Sequence, residues 1–277
     1  MVTTAAAGRG RMGERPSTHL LELRADVVIK RYRSWEHRQQ EREWSALELL
    51  DEHASGLAPT PVSARLTADP PEVVMSRLPG RPLDGPVSSE QAGAVAAAVV
   101  RLQESIPRRV LADLPPRAGH PVELLEQVRG WCSKASSAES HPVAAKALTA
   151  GTDWAHRPGL TELLHRTDRP VFGTGDGNLS NYLWDGSEVR LVDFEYSGRS
   201  DRAYELAEAI EHISAREDGG VDLAAAFEQV ELEASEAARS RECRRLLALF
   251  WLLRILGTRP DRSPVLIRQA ERLLSLL

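Results

Sequence analysis

A chain of 277 residues with 42% apolar side chains can bury one large core or two modest ones, and with only 5% aromatics Leu, Ala and Val must fill it. The net charge of −5 argues against nucleic acid as the main partner. Cys132 and Cys243 lack metal-type spacing and read as reduced thiols of a cytoplasmic protein. The arginines at 9, 11 and 15 surround no apolar segment and form no secretory signal, and the longest apolar run, 246–253, falls far short of the ~20 residues that cross a membrane.

Residues 1–17 are small, polar and basic and read as a loose arm. Within them Gly8-Arg9-Gly10-Arg11-Met12-Gly13 matches G-x-G-x-x-G, either a phosphate-covering loop or a chance match, since no convincing strand precedes it. Strands are predicted at 19–23 and 27–32, the second carrying Lys30 at its centre. A helix over 36–50 follows, with Trp44, Leu47 and Leu50 at helical spacing. Strands near 62–66 and 73–75 precede Ser76-Arg77-Leu78-Pro79-Gly80-Arg81-Pro82-Leu83, whose prolines and glycine preclude regular structure.

Beyond Gly85 helices dominate, at 87–103, 122–136, 141–150 and 159–165, then at 202–216, 221–239, 241–256 and 264–277. One hairpin interrupts them. Tyr182-Leu183-Trp184 and Val189 to Val192 are short strands joined at Asp185-Gly186, a strong turn signal. Strands first, helices later, make an α+β chain with two lobes: 1–80, a small antiparallel β lobe with one helix, and 81–277, larger and mostly helical.

The hairpin carries the chemistry. A glycine-rich loop before it holds Asp176, Asn178 and Asn181, and its second strand delivers Asp193. Hard oxygens without soft ligands suit Mg2+ carrying phosphates. Transfer of a phosphoryl group from ATP needs a carboxylate to accept the attacking hydroxyl's proton and oxygen ligands to hold the metal. Asp176 is the expected base, and Asn181 and Asp193 the expected metal ligands.

These residues resemble the aminoglycoside phosphotransferases and their choline-kinase-like relatives, which carry H-G-D-x-x-x-x-N, an apolar strand, a turn and [IV]-D-[FW]-E. Here the matching residues are Thr174-Gly175-Asp176, Asn181 and Val192-Asp193-Phe194-Glu195, with Thr174 where that family usually has histidine. The resemblance implies a two-lobed protein-kinase-like fold with magnesium-ATP between the lobes. It implies that Lys30 holds the α- and β-phosphates and that a helix glutamate orients it: Glu43, with Glu41 and Glu36 as alternatives. It makes Ser76 to Leu78 the hinge whose backbone meets adenine.

The acceptor is less determined. Between Asp201 and Glu236 eleven acidic residues stand against two arginines, a local net charge of −9. Asp201, Glu205 and Glu208 share one helix face, and Asp201 could equally cap the helix. The resemblance assigns such carboxylates to ammonium groups of the acceptor, making Glu205 and Glu208, with Glu195 nearer the metal, the expected substrate contacts. The face could equally be a solvated one. His165, His212 and Trp251 read as packing or surface residues. The expectation is an ATP-dependent O-phosphotransferase, monomeric or dimeric, acting on a small, hydroxylated, cationic acceptor such as an aminoglycoside, with antibiotic resistance following by analogy. A nucleotide-binding regulatory pseudokinase and a silent, ligand-sequestering protein are the alternatives.

Overall fold

The structure, a computed structural model, describes residues 19–33, 36–135, 141–216, 223–227, 229–258 and 263–277; the Gly8–Gly13 match lies outside them. Strands β1 (His19–Leu23), β2 (Val27–Tyr32), β3 (Pro61–Arg65) and β4 (Glu72–Ser76) form an antiparallel sheet in the order β1-β2-β4-β3. Its register sets Lys30 opposite Leu21 on one side and Val73 on the other. Helix α1 (Gln39–His53) covers this sheet with Glu43, Ala46, Leu47 and Leu50, one helical face. That periodicity turns Glu43 inward with the core leucines. Glu41 instead pairs with exposed Arg38, and the Glu36 side chain lies outside the described residues.

The segment after β4 is more regular than its prolines suggest. Arg81–Pro82 is strand β5 and pairs with β7 (Tyr182–Trp184), which pairs in turn with β8 (Val189–Leu191). Pro82 is tolerated because β5 lies at the edge of that small sheet. The hairpin turn is wider than two residues: the Asp185 amide donates to the Glu188 carbonyl, and the Asp185 carboxylate accepts from the amides of Ser187 and Glu188.

Helix α2 (Ser89–Ser105) starts with a capping box between Ser88 and Gln91 and buries its alanine- and valine-rich face. Helices α3 (Arg108–Asp113), α4 (Pro121–Cys132), α5 (Pro142–Ala155) and α6 (Leu160–His165) lead to β6 (Pro170–Gly173), whose partner is β9 (Gly198–Asp201). Neither α3 nor β9 was expected. The predicted helix 202–216 ends at Glu211, as α7 (Arg202–Glu211), and His212 caps the 3-10 turn Ile213–Ala215. After α8 (Leu223–Phe227), α9 (Ala234–Thr258) runs unbroken through the predicted break near 240, since no glycine or proline occurs before Gly257. Helix α10 (Ser263–Leu276) packs on α9 and α5.

Two apolar cores result. The first joins Tyr32, Leu47, Leu50 and Val73 of the β lobe to Val95, Phe172, Leu191 and Phe194, so packing does not break at residue 80. The second lies among α4, α5, α7, α9 and α10. Among the described residues no helix is long and apolar enough to cross a membrane.

Candidate active site

The loop after β6 is braced by bonds between its own side chains and backbone. Thr174 Oγ1 donates to the Asp176 carbonyl at 3.4 Å, and the Asn178 amide donates to Asp176 Oδ1 at 3.1 Å. Asn178 Oδ1 caps the 3-10 turn Leu179–Asn181. The Val192 amide donates to the Asn181 carbonyl at 3.0 Å, which ties this loop to the strand end carrying Asp193. The hairpin therefore joins the Asp176 loop to Asp193, as the spacing implied. Gly175 has φ +87°, and a Cβ there would stand 2.4 Å from the Tyr196 carbonyl. Only glycine fits.

Asp193 itself has φ 70°, left-handed for a residue with a Cβ. That turn aims its carboxylate back at Lys30. Lys30 Nζ lies 2.5 Å from Glu43 Oε2, 2.6 Å from Asp193 Oδ1 and 2.8 Å from Glu195 Oε2. Tyr32 donates its hydroxyl to Glu43 Oε2, the Phe194 amide reaches Glu43 Oε1, and His19 Nε2 lies 2.6 Å from Glu195 Oε2. Glu195 thus belongs with Lys30 and not with Glu205 and Glu208. His19 and Tyr32 were missed: neither carries a sequence signal beyond its place on a strand.

Burial would lower the Lys30 pKa, but its three carboxylates outweigh that and hold it well above the ordinary lysine value. Asp193 is pushed upward, by burial first and then by Glu43 and Glu195, against the pull of Lys30. Its side chain is 39% exposed, so solvent tempers the effect.

One ammonium among three carboxylates leaves negative charge uncompensated. Glu43, Asp193 and Glu195 have ligand oxygens within 4.8 Å of one another, as a hard divalent cation requires. Asn181 is buried, and its amide nitrogen has no hydrogen-bond partner among the described residues. An amide flip exchanges nitrogen for oxygen in place, so this end can face a cation. The residues present fit magnesium.

Glu205 and Glu208 are placed otherwise than as open acceptor contacts. Both are buried beneath the Asp176 loop and face Arg117, from the connection between α3 and α4. Arg117 Nη1 meets Glu205 Oε1 at 2.8 Å, and Arg117 Nη2 donates to the Gly175 carbonyl at 3.0 Å. Ser200 donates to the same Glu205 oxygen. A Cβ on Gly173 would stand 2.4 Å from the Glu205 carboxylate, so these acids are the floor on which the loop rests. Other acids of the run are consumed likewise: Asp201 by Arg239, Glu211 by Arg244 and Arg272, Glu236 by Arg202. Asp201 occupies the N-cap position of α7 but makes no capping bond. Five of the eleven acids in this run are thus counter-charges of buried or partly buried arginines, because buried ions need partners. Arg117 escaped sequence reasoning because nothing around it repeats.

His212, expected to be packing or surface, reaches the loop. Its Nε2 lies 3.3 Å from Asp176 Oδ1, and Trp251 packs edge-on against its ring at 4.7 Å. The missed signal was periodicity: 212 extends the 201, 205, 208 face by one turn. Burial pushes the Asp176 carboxyl up, but the bond and charge from His212, the Asn178 amide and Arg117 bring it below the ordinary value. At the expected hinge, Ser76 Oγ accepts from the Thr60 amide, and among the described residues no backbone hydrogen bond uses Leu78. His165 ends α6, away from these contacts.

A lysine held by a helix glutamate, an aspartate after a β-hairpin and a loop aspartate upstream, on an antiparallel lobe joined to a helical one, define a kinase-like phosphotransferase. The sequence profile of the phosphotransferase enzyme family matches residues 13–245, and the chain belongs to that family; it is a small-molecule kinase. No curated protein matches the sequence. The chain is similar in structure to a choline/ethanolamine kinase family protein from Mesorhizobium loti, with 15% identity, a TM-score of 0.63, and coverage of 94% of this chain and 85% of that one. It is similar to an aminoglycoside 2'-phosphotransferase-IIIa mutant in complex with GDP, with 17% identity, a TM-score of 0.61 and coverage of 98% and 89%. It is also similar to APH(2")-IIa in a ternary complex with streptomycin and ATP, with 14% identity, a TM-score of 0.60 and coverage of 96% and 90%. Identities this low speak for the fold.

Proposed function

We propose that this protein transfers the γ-phosphoryl group of ATP to a hydroxyl of a small molecule bound by the larger lobe. The observation that carries this is Lys30 within 2.8 Å of Glu43, Asp193 and Glu195, with the Asp176 loop bonded to the strand end that bears Asp193. Lys30 meets the phosphates and Glu43 orients it. The nucleotide lies between residues 1–80 and 81–277, its base against the backbone of Ser76 to Leu78. Asn181, Asp193 and Glu195 would hold magnesium, which when bound neutralises charge on the phosphates. Asp176 Oδ1 is taken up by His212 and the Asn178 amide, so Oδ2 faces the acceptor hydroxyl. It takes the proton as the oxygen–phosphorus bond forms and the β–γ bridging bond breaks, releasing ADP. Such a reaction belongs in the cytoplasm, where ATP is supplied and the two free cysteines stay reduced.

The acceptor chemistry is read from the residues that lead away from Asp176 through His212. A cationic acceptor of the aminoglycoside kind, and antibiotic inactivation with it, drew on the acidic stretch, but between Asp201 and Glu211 every carboxylate is buried and the acids at 201, 205, 208 and 211 are paired with arginine. Beyond His212 lie Trp251, Phe250 and Trp131, partly buried rings in successive contact at 5.1 and 5.5 Å that pack on the second core, with Arg254 over Trp131. Such a wall suits an acceptor that lays an apolar or flat ring face beside its hydroxyl. The test is ADP release from magnesium-ATP against a panel of hydroxylated antibiotics and amines, cationic and apolar. Turnover with an apolar acceptor, lost by orders of magnitude in Asp176→Asn with nucleotide still bound, is expected. Near-normal turnover of that variant removes Asp176 from the base role.

A further inference from the structure

We infer that His212 is the positioning residue for Asp176, clamping the loop from the end of α7 so that one carboxylate oxygen is held and the other is presented. The inference rests on Asp176 being the base.

Thr174 does not do this, since its hydroxyl meets the Asp176 carbonyl and not the carboxylate. The carboxylate is met by the Asn178 amide and by His212 Nε2, both on Oδ1. Two donors on one oxygen fix the side-chain torsion and leave Oδ2 toward the cleft, with 34% of the side chain exposed.

The tautomer follows from the partners on the other ring nitrogen. The Ser214 amide lies 3.2 Å from His212 Nδ1, and an amide can only donate. Ser214 Oγ accepts from the Leu179 amide at 2.9 Å, so its own hydrogen is available to Nδ1 at 2.7 Å. With Nδ1 accepting, the ring proton of the neutral imidazole sits on Nε2, directed at Asp176. Leu179 and Asp176 belong to the same loop, so the His212–Ser214 turn grips it at two points. Trp251 fixes the ring plane from α9. Other charged or titratable groups bearing on Asp176 are Arg117 and Glu208 beneath it and Tyr182 on β7.

The test uses the full chain with 15N-labelled histidine and 13C-labelled aspartate, read by NMR across pH. One imidazole showing the Nε2-protonated tautomer, with its nitrogen shifts moved by Asp176→Asn, is expected. The Asp176 carboxyl midpoint should rise by about one pH unit in His212→Ala and recover in part in His212→Gln, whose amide still donates. A ring with the proton on Nδ1, or an Asp176 midpoint unmoved in both folded variants, overturns the inference. If His212→Ala does not fold, His212→Gln and the wild-type tautomer decide alone. Magnesium-ATP turnover that survives Asp176→Asn sinks the base reading instead, whatever the imidazole shows.

Discussion

Arg117 and Glu208 meet as a two-pronged buried ion pair beneath the Asp176 loop, Nη1 to Oε2 at 2.5 Å and Nη2 to Oε1 at 3.0 Å. The pair holds up the Asp176 loop from below through the Gly175 carbonyl. Arg117→Met strands two buried carboxylates and should cost about 3–5 kcal/mol in urea unfolding. Glu208→Gln should cost less, because Glu205 still faces the guanidinium. A Glu208→Gln protein with unchanged stability and a raised acceptor KM would mean that Glu208 binds the acceptor after all.

Lys30→Met removes the one ammonium shared by Glu43, Asp193 and Glu195. Turnover should fall by about a hundredfold or more, as when a preorganised charge is lost. Calorimetric titration should show weaker magnesium-ATP binding. The variant should also be less stable than the wild type at neutral pH and approach it in acid, where the carboxylates protonate.

Asp193→Asn should separate stability from function. The Asp193 pKa is raised in the folded state, so its contribution is fully present below its unfolded value of about 4 and is lost as pH rises through the folded one. Without nucleotide, Asn at this position escapes that loss. The variant should melt above the wild type at pH 7–8, with the gap closing toward pH 4. Magnesium-ATP should raise the wild-type Tm and leave the variant unmoved. Equal magnesium-dependent shifts in the two proteins would contradict Asp193 as a ligand.

Two glycines with positive φ should respond very differently to alanine. At Gly175 (φ +87°) the new methyl meets the Tyr196 carbonyl at 2.4 Å, and the loss should exceed about 2 kcal/mol, with turnover falling too. At Gly186 (φ +107°) nothing lies within 4 Å, so only the backbone penalty of about 1 kcal/mol remains. Thermal melts of both variants decide this.

Much of the site was legible because its residues are close in sequence. Thr174 to Glu195 is one loop and one hairpin, and strand alternation with turn chemistry places its ends together. The strand holding Lys30 was legible to the residue, from Val27 to Tyr32. Glu43 was preferred over Glu41 by resemblance, and the structure gives the physical ground: Glu43 shares a face with Leu47 and Leu50. The strand β9 was illegible because Gly198-Arg199-Ser200-Asp201 has no apolar alternation; its pairing with β6 supplies the order instead.

By itself the sequence determined most of the succession of strands and helices and the loop and hairpin that carry residues 176, 181 and 193, since local periodicity and turn chemistry carry that information. Only the tertiary structure decided what the acidic residues do. Periodicity shows that Glu205 and Glu208 share a face, but their counter-ion is Arg117, 88 and 91 residues away. A charge is open to a ligand or spent within the core according to what packs against it, and for α7 the answer comes from the connection before α4 and from α9 and α10. His212, expected to be a packing or surface residue, packs on Trp251 and also meets Asp176 for the same reason: the loop it touches arrives from another part of the chain.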